Sequence, residues 1–171
     1  MGLLGKVFGG SPPPENDVYH KLRNRALNVT ARELGLEADP NAPIHAVIME
    51  TGYPDVIATF ACLGDGTVSL YLSTGGGVIG GGQHESVRSA CFELLRITNK
   101  YAQDFMAACK RVSTFALPGK DAVFFYLVTS DGVYQAECQE DALAKQRDPF
   151  SALFNNCHAV MSELREVEQK R

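Results

Sequence analysis

A run of glycines is the part of the chain where residue types and spacing first suggest chemistry. The segment Gly75-Gly76-Gly77-Val78-Ile79-Gly80 matches the pattern G-x-G-x-x-G and lies between a strand-like segment and a helical one. Bare backbone amides and a helix N-terminus favour an anionic group such as a phosphate. One functional hypothesis is therefore a small-ligand or anion site, formed by Gly77, Gly80, Gly82 and His84.

The surroundings of this run disfavour a dinucleotide site. The strands before it read as a meander and not as a parallel βαβ unit, further glycines follow it, and no Gly-Lys-Ser/Thr completes a P-loop. The alternative interpretation is an exposed, flexible connection whose glycines allow close approach of the backbone.

The cysteines and histidines show no pattern typical of a catalytic or metal site. The five cysteines are odd in number and contain no C-x-x-C pair; they are Cys62, Cys91, Cys109, Cys138 and Cys157. This favours buried, reduced thiols in a cytosolic protein, with a zinc site or a catalytic thiol at Cys91 or Cys157 as alternatives. The histidines lie on different elements without paired metal spacing. We predict no catalytic residue, no metal and no cofactor, and hence no enzyme.

Length and charge limit the classes of protein further. A chain of 171 residues predicts one domain with a real core, and a net charge of −4 argues against nucleic-acid binding. No apolar run is long enough for a transmembrane segment, and no signal peptide is visible, so we predict a cytoplasmic protein. Residues 1–15 read as a flexible tail and residues 16–171 as the domain. The apolar residues 1–8 are interpreted as a disordered end or as a weak membrane-surface or partner-docking peptide.

The elements that would position these residues begin with a helix and a meander. Apolar residues at helical spacing predict a helix over Asn16–Leu36. Its basic residues are expected on a solvated face, with a patch for an acidic partner as the alternative: Lys21, Arg23, Arg25 and Arg32. Short alternating segments joined by tight turns then predict three antiparallel strands, at His45–Thr51, Val56–Leu63 and Thr67–Ser73.

The second half repeats the alternation of helix and strands. A long central helix is predicted from His84 or Glu85, ending near Tyr101 or persisting to Lys110. The remaining predicted elements are a possible strand at Val112–Leu117, a central strand at Ala122–Thr129, its hairpin partner at Val133–Cys138, a polar loop at Gln139–Asp148 and a final amphipathic helix starting at Pro149. The predicted class is α+β: a two-layer sandwich with one antiparallel sheet of five to six strands, a long central helix, and N- and C-terminal helices.

The order of elements resembles two known scaffolds. It is carried by the hairpins at Asp65-Gly66 and Asp131-Gly132, the central helix and the closing helix. One scaffold is the profilin-like group with the roadblock and longin families, whose front strand-turn-strand is similar to Ala61–Gly66. The other is the class I type III secretion chaperones, which share the order α-β-β-β-α-β-β-α. Both resemblances imply a dimer that binds other proteins, and neither assigns a functional residue.

The sequence thus leaves two principal hypotheses of function. The first is a non-enzymatic cytosolic scaffold or chaperone-like interaction module, homodimeric and with an unknown protein partner. Its contact surface is predicted on the central helix, around Arg88, Phe92 and Arg96, or at a sheet edge. The second is a sensor domain that holds a small ligand or an anion at the glycine run.

Overall fold

The computed structural model describes residues 15–170, with side chains described from Val18 onward. Within that range the helices are α1 (Glu15–Leu27), α2 (Glu85–Lys100), α3 (Ala102–Ala107), α4 (Glu140–Ala144) and α5 (Ser151–Gln169). The strands are β1 (Ile44–Gly52), β2 (Ile57–Leu63), β3 (Val68–Leu72), β4 (Gly77–Val78), β5 (Lys110–Val112), β6 (Ala122–Thr129) and β7 (Gly132–Gln139). The predicted tail over residues 1–15 lies outside the described residues, except for Glu15, which begins α1.

All the strands belong to one antiparallel sheet. Their order is β4-β3-β2-β1-β6-β7-β5, so β1 pairs with β2 on one side and with β6 on the other. The α+β class and the single antiparallel sheet are confirmed, and β6 lies inside the sheet as predicted. The strand count is corrected: the described residues form seven strands and not five to six.

The central strands β1 and β6 carry apolar residues on both faces, and both faces of the sheet are covered. Val47, Met49 and Phe125 contribute to a core with α2 and α5. Ile48 and Tyr126 point the other way, into a second core with α1 and the segment after β5. Because neighbouring residues of a strand face opposite sides, this division follows the alternation of the sequence. The N-terminal helix therefore adds a third layer to the predicted two-layer sandwich.

The hairpin turns form where the Asp-Gly pairs predict them. Gly66 and Gly132 have φ values of +88° and +138°, which L residues with side chains rarely adopt. Asp65 accepts a hydrogen bond from the backbone N–H of Thr67 at 2.9 Å. These contacts fix the registers of the β2–β3 and β6–β7 pairs.

Several predicted boundaries are wrong for local reasons. The first helix ends at Leu27 and not at Leu36, because Thr30 and Glu33 exchange the hydrogen bonds of a capping box and start a separate turn. The central helix, by contrast, ends at Lys100, which confirms the predicted end near Tyr101, and α3 follows as a separate short helix. Of the residues in the possible strand at Val112–Leu117, only Val112 lies in a strand, where it is the last residue of β5. The polar loop predicted at Gln139–Asp148 contains α4.

Candidate functional site

Two glycines in and after the glycine run pack closely against the backbone of other segments of the chain. Gly77 lies in β4 opposite Tyr71, with a φ of +135°, and a Cβ atom there would overlap the carbonyl oxygen of Leu70. A Cβ atom on Gly82 would likewise overlap the carbonyl oxygen of Gly66. Glycine is needed at both positions because two backbones approach each other closely. The prediction of an open connection missed β4, since a two-residue strand leaves no periodicity in the sequence.

The other two predicted ligand-binding residues lie on the path into α2. Gly80 has a left-handed backbone, with a φ of +75°, and precedes a single 3₁₀ turn over Gly81–Gln83. His84 is the residue immediately before α2, and its backbone oxygen accepts the hydrogen bond of Arg88 N–H at 3.0 Å. Its Nε2 atom is buried and has no hydrogen-bond partner among the described residues. The run therefore presents one orphaned imidazole nitrogen near a helix N-terminus.

The predicted contact residues of α2 share one exposed face. Arg88, Phe92 and Arg96 are spaced four residues apart, so they lie above one another on the helix. Phe92 is 45% exposed, which is unusual for a large aromatic side chain. The edge of its ring lies next to Gly66, where a Cβ atom would contact it closely. Arg96 is held by Glu93 in an exposed ion pair of 2.8 Å, and this contact lowers the pKa of Glu93.

An apolar cleft opens beside this face of α2. Its volume is about 560 Å³, and Phe92 and Leu95 line one wall. The opposite wall is the irregular segment between α1 and β1, where Leu36 is 37% exposed and Pro40 and Pro43 prevent regular structure. Glu37 and Asp39 belong to the same wall. We call this feature the Leu36–Phe92 cleft.

A buried ion pair on the other face of the sheet was not predicted. Arg23 of α1 is 4% exposed and donates two hydrogen bonds to Glu50 of β1, from Nε at 2.6 Å and from Nη2 at 2.8 Å. The expectation that Arg23 belongs to a solvated basic face is therefore wrong. The sequence signal was the single carboxylate inside the apolar strand β1, because a buried charge requires a partner.

The groups around this ion pair are satisfied by one another. Arg23 also donates to the backbone oxygens of Phe115 and Ala116, at 3.1 and 3.0 Å, and Glu50 also accepts from the hydroxyl of Thr59 at 3.1 Å. Burial, and then the Glu50 carboxylate, raise the pKa of Tyr126, whose neutral hydroxyl donates to Ala116. Because each charge has its partners, we interpret the cluster as an anchor that fixes α1 and the segment after β5 to the sheet.

The cysteines do not form a reactive centre. A disulfide joins Cys62 of β2 to Cys91 of α2, with the Cα atoms 5.9 Å apart, so the prediction of reduced thiols is wrong for this pair. The other three are unpaired, as predicted. Burial raises the pKa of Cys109 to about 12; burial, and then the nearby Asp148, raise the pKa of Cys138 to about 12. Burial also raises the pKa of Cys157, so it is a protonated, poorly nucleophilic thiol.

His158 follows Cys157 in the sequence, but its ring contacts Phe154. Its ring packs edge-on against Phe154, with centroids 4.4 Å apart, and burial and then Arg165 lower its pKa. No group of three or more His, Cys, Asp or Glu side chains in residues 18–170 is arranged to hold a metal ion. Over the same residues, no helix combines the length and the apolarity needed to cross a bilayer.

Comparison of the chain with protein-family models, with curated proteins and with solved structures gives no match. The resemblances to the roadblock and longin families and to the type III secretion chaperones therefore stay predictions.

Proposed function

We propose that this chain is a non-enzymatic protein-interaction module that forms a homodimer through the exposed face of α2 and the Leu36–Phe92 cleft. The observation that supports this most directly is the pair of large apolar side chains left exposed on the two walls of one cleft. Exposed apolar surface that is contiguous and rimmed by charge is typical of protein contact sites.

A second copy of the chain suits this surface by its charges. The face of α2 carries Arg88 and also Arg96, which is paired with Glu93. The opposite wall of the cleft carries Glu37 and Asp39. A twofold axis between two copies would place the basic side of one against the acidic side of the other, twice. Phe92 of each copy would then enter the cleft of the other.

The sheet edges offer less surface than the helix. The edge strands β4 and β5 contain two and three residues. Dimerisation by strand addition depends on a row of unpaired backbone groups, and such short edges provide few. Of the two contact surfaces predicted from the sequence, the proposal therefore selects the helix.

The test is the oligomeric state measured by sedimentation across the micromolar range. We expect a dimer for the wild type and a monomer for Phe92→Asp, because the substitution places a carboxylate in the apolar centre of the contact. Tyr53→Asp is the matched control, since Tyr53 is also exposed but lies in the β1–β2 turn. A wild type that stays monomeric at high micromolar concentration would remove the proposal.

Charge exchange tests the geometry of the contact. Arg88→Glu is expected to weaken the dimer at least tenfold, and addition of Glu37→Arg is expected to restore part of the affinity, because both changes meet across the same contact. If Arg88→Glu and Glu37→Arg each weaken the dimer and the double variant dimerises no better than either one, the proposed contact between Arg88 and Glu37 is contradicted.

A second function, binding of an anion at the glycine run, is supported by the orphaned Nε2 atom of His84. The test is a thermal-shift series with inorganic phosphate and nucleotides, because a ligand of the native state must raise the melting temperature. A rise that His84→Gln abolishes would support this function, and no rise at millimolar concentrations would end it.

A cytoplasmic location is also part of the proposal. The three unpaired cysteines support it, and the Cys62–Cys91 disulfide counts against it. Fractionation of the native cell, with the protein followed by antibody, tests this location: recovery in the cytoplasmic fraction would support it, and recovery in another fraction would contradict it.

A further inference from the structure

A second apolar groove runs along α1, on the face of the sheet opposite α2. It has two lobes, of about 260 and 430 Å³, which share Leu22, Tyr71 and Ile79 in their walls. Val18 lines the first lobe and Leu34 the second. The groove is thus bounded by α1 on one side and by strands β3 and β4 on the other.

The rims of this groove carry some of the most exposed apolar side chains in the described residues. Ile79, just after β4, is 64% exposed, and Val18, in the first turn of α1, is 43% exposed. They stand on opposite walls of the first lobe. Exposure of apolar Val and Ile side chains to water is unfavourable. Two of them on the walls of one groove therefore favour an apolar occupant.

The chain itself supplies an apolar segment next to this groove. Residues 1–8 have the sequence MGLLGKVF, with four large apolar residues after Met1 and a single charge at Lys6. Residues 9–14 connect them to Glu15, where α1 begins. Six residues reach at most about 20 Å, and Val18 lies only about 4.5 Å along the helix axis from Glu15. The connection is therefore long enough for residues 1–8 to turn back onto α1.

Charge favours the same occupant. The second lobe is lined by Glu33 and Asp65, while Arg25 is the one basic residue in its wall. Lys6 is the only charged residue in residues 1–8. A cationic apolar segment thus meets a groove that is apolar in its centre and acidic at its far end.

We propose that residues 1–8 of this chain bind in the groove between α1 and strands β3 and β4 of the same molecule. The segment covers Val18 and Ile79 and places Lys6 near Glu33 and Asp65. The groove shares no lining residue with the Leu36–Phe92 cleft, so the inference does not depend on the proposed dimer.

The chain contains no tryptophan, which makes a direct test possible. Phe8→Trp introduces a single indole into the full-length protein. We expect its emission to be blue-shifted from that of the urea-unfolded chain and to be several-fold less accessible to acrylamide, because the ring is buried in the groove. Adding Ile79→Asp is expected to return both values to those of a solvated indole, with the far-UV circular dichroism unchanged.

The control and the opposing outcomes are defined by the structure. Leu117→Asp changes another exposed apolar residue outside this groove and is expected to leave the emission unchanged. A solvated emission in the Phe8→Trp protein would overturn the proposal, as would a blue shift that Ile79→Asp does not remove. A shift that grows with protein concentration would assign the segment to a second copy. A shift seen only with phosphatidylcholine–phosphatidylserine vesicles would assign it to a lipid surface. Either result would also overturn the proposal.

Discussion

Removal of Arg23 tests the structure at its most demanding point. In Arg23→Met the Glu50 carboxylate, which is fully buried, loses both of its guanidinium hydrogen bonds, and the backbone oxygen of Phe115 loses the one that Arg23 donates. The backbone oxygen of Ala116 loses the hydrogen bond from Arg23 but keeps the one from the Tyr126 hydroxyl. Breaking a buried ion pair by removing one partner costs about 3–5 kcal/mol, because the remaining charge stays in the core. That is a large part of the ~5–15 kcal/mol by which a domain is stable.

The measurement is urea unfolding followed by circular dichroism. With a dependence on urea of about 2 kcal/mol per molar, a loss of 3–5 kcal/mol lowers the midpoint by about 1.5–2.5 M. Arg25→Met is the matched control, because Arg25 lies on the same helix and is exposed; its effect is expected to stay within about 0.5 kcal/mol.

A double variant separates the lost partner from the lost charge. Arg23→Met with Glu50→Leu replaces both ions by apolar side chains, so no charge is stranded, and such replacements are often close to neutral. We expect the double variant to be more stable than Arg23→Met alone. Equal midpoints for Arg23→Met and Arg25→Met would refute the burial of the pair. The single variant Glu50→Leu completes the comparison, and a double variant whose loss equals the sum of the losses of Arg23→Met and Glu50→Leu would refute the stranded-charge explanation.

Three further predictions concern other parts of the fold. Gly82→Ala is expected to cost about 2 kcal/mol or more, because its Cβ atom would overlap a backbone oxygen, whereas Gly119→Ala, which meets open space, should cost under about 1 kcal/mol in urea unfolding; equal losses would contradict the close approach. Cys91→Ala is expected to cost about 3–4 kcal/mol, the loop-closure entropy of a disulfide that spans 29 residues. Reductant should remove a similar stability from the wild type, and a midpoint insensitive to reductant would exclude the disulfide. His158 has a lowered pKa in the folded state, so the unfolded chain takes up its proton first, and stability should fall as the pH drops through 6.5 until the folded group is also protonated. His158→Gln should flatten urea midpoints measured between pH 8 and 5, and an unchanged slope would rule out this histidine.

The parts of the fold that were predictable are those with local signals. The pairs Asp65-Gly66 and Asp131-Gly132 predict two tight turns, and both glycines have the positive φ that such turns require. The central helix begins at Glu85, as its apolar periodicity indicates. Apolar residues on both faces of Ala122–Thr129 correctly predict a strand inside the sheet.

The parts that were missed depend on contacts between distant residues. Arg23 on an amphipathic helix looks solvated until the strand that carries Glu50 is placed beneath it. The disulfide likewise pairs two cysteines whose spacing matches no motif. The end of the first helix is different, because the capping box from Thr30 to Glu33 is a local signal in the sequence itself. Of the candidate contact residues, Phe92 could be named from the sequence, but its cleft depends on the irregular path around Leu36.

The pairing of β1 with β6 has a consequence for synthesis of the protein. These strands are neighbours in the sheet but are separated by nearly half of the chain. During translation β1 therefore emerges from the ribosome long before β6, and its β6-side edge stays open while β2, β3 and α2 are made. Closing so long a loop slows folding. The nascent chain therefore passes through a stage in which an apolar edge, protected in the finished molecule, is accessible to chaperones and to other chains.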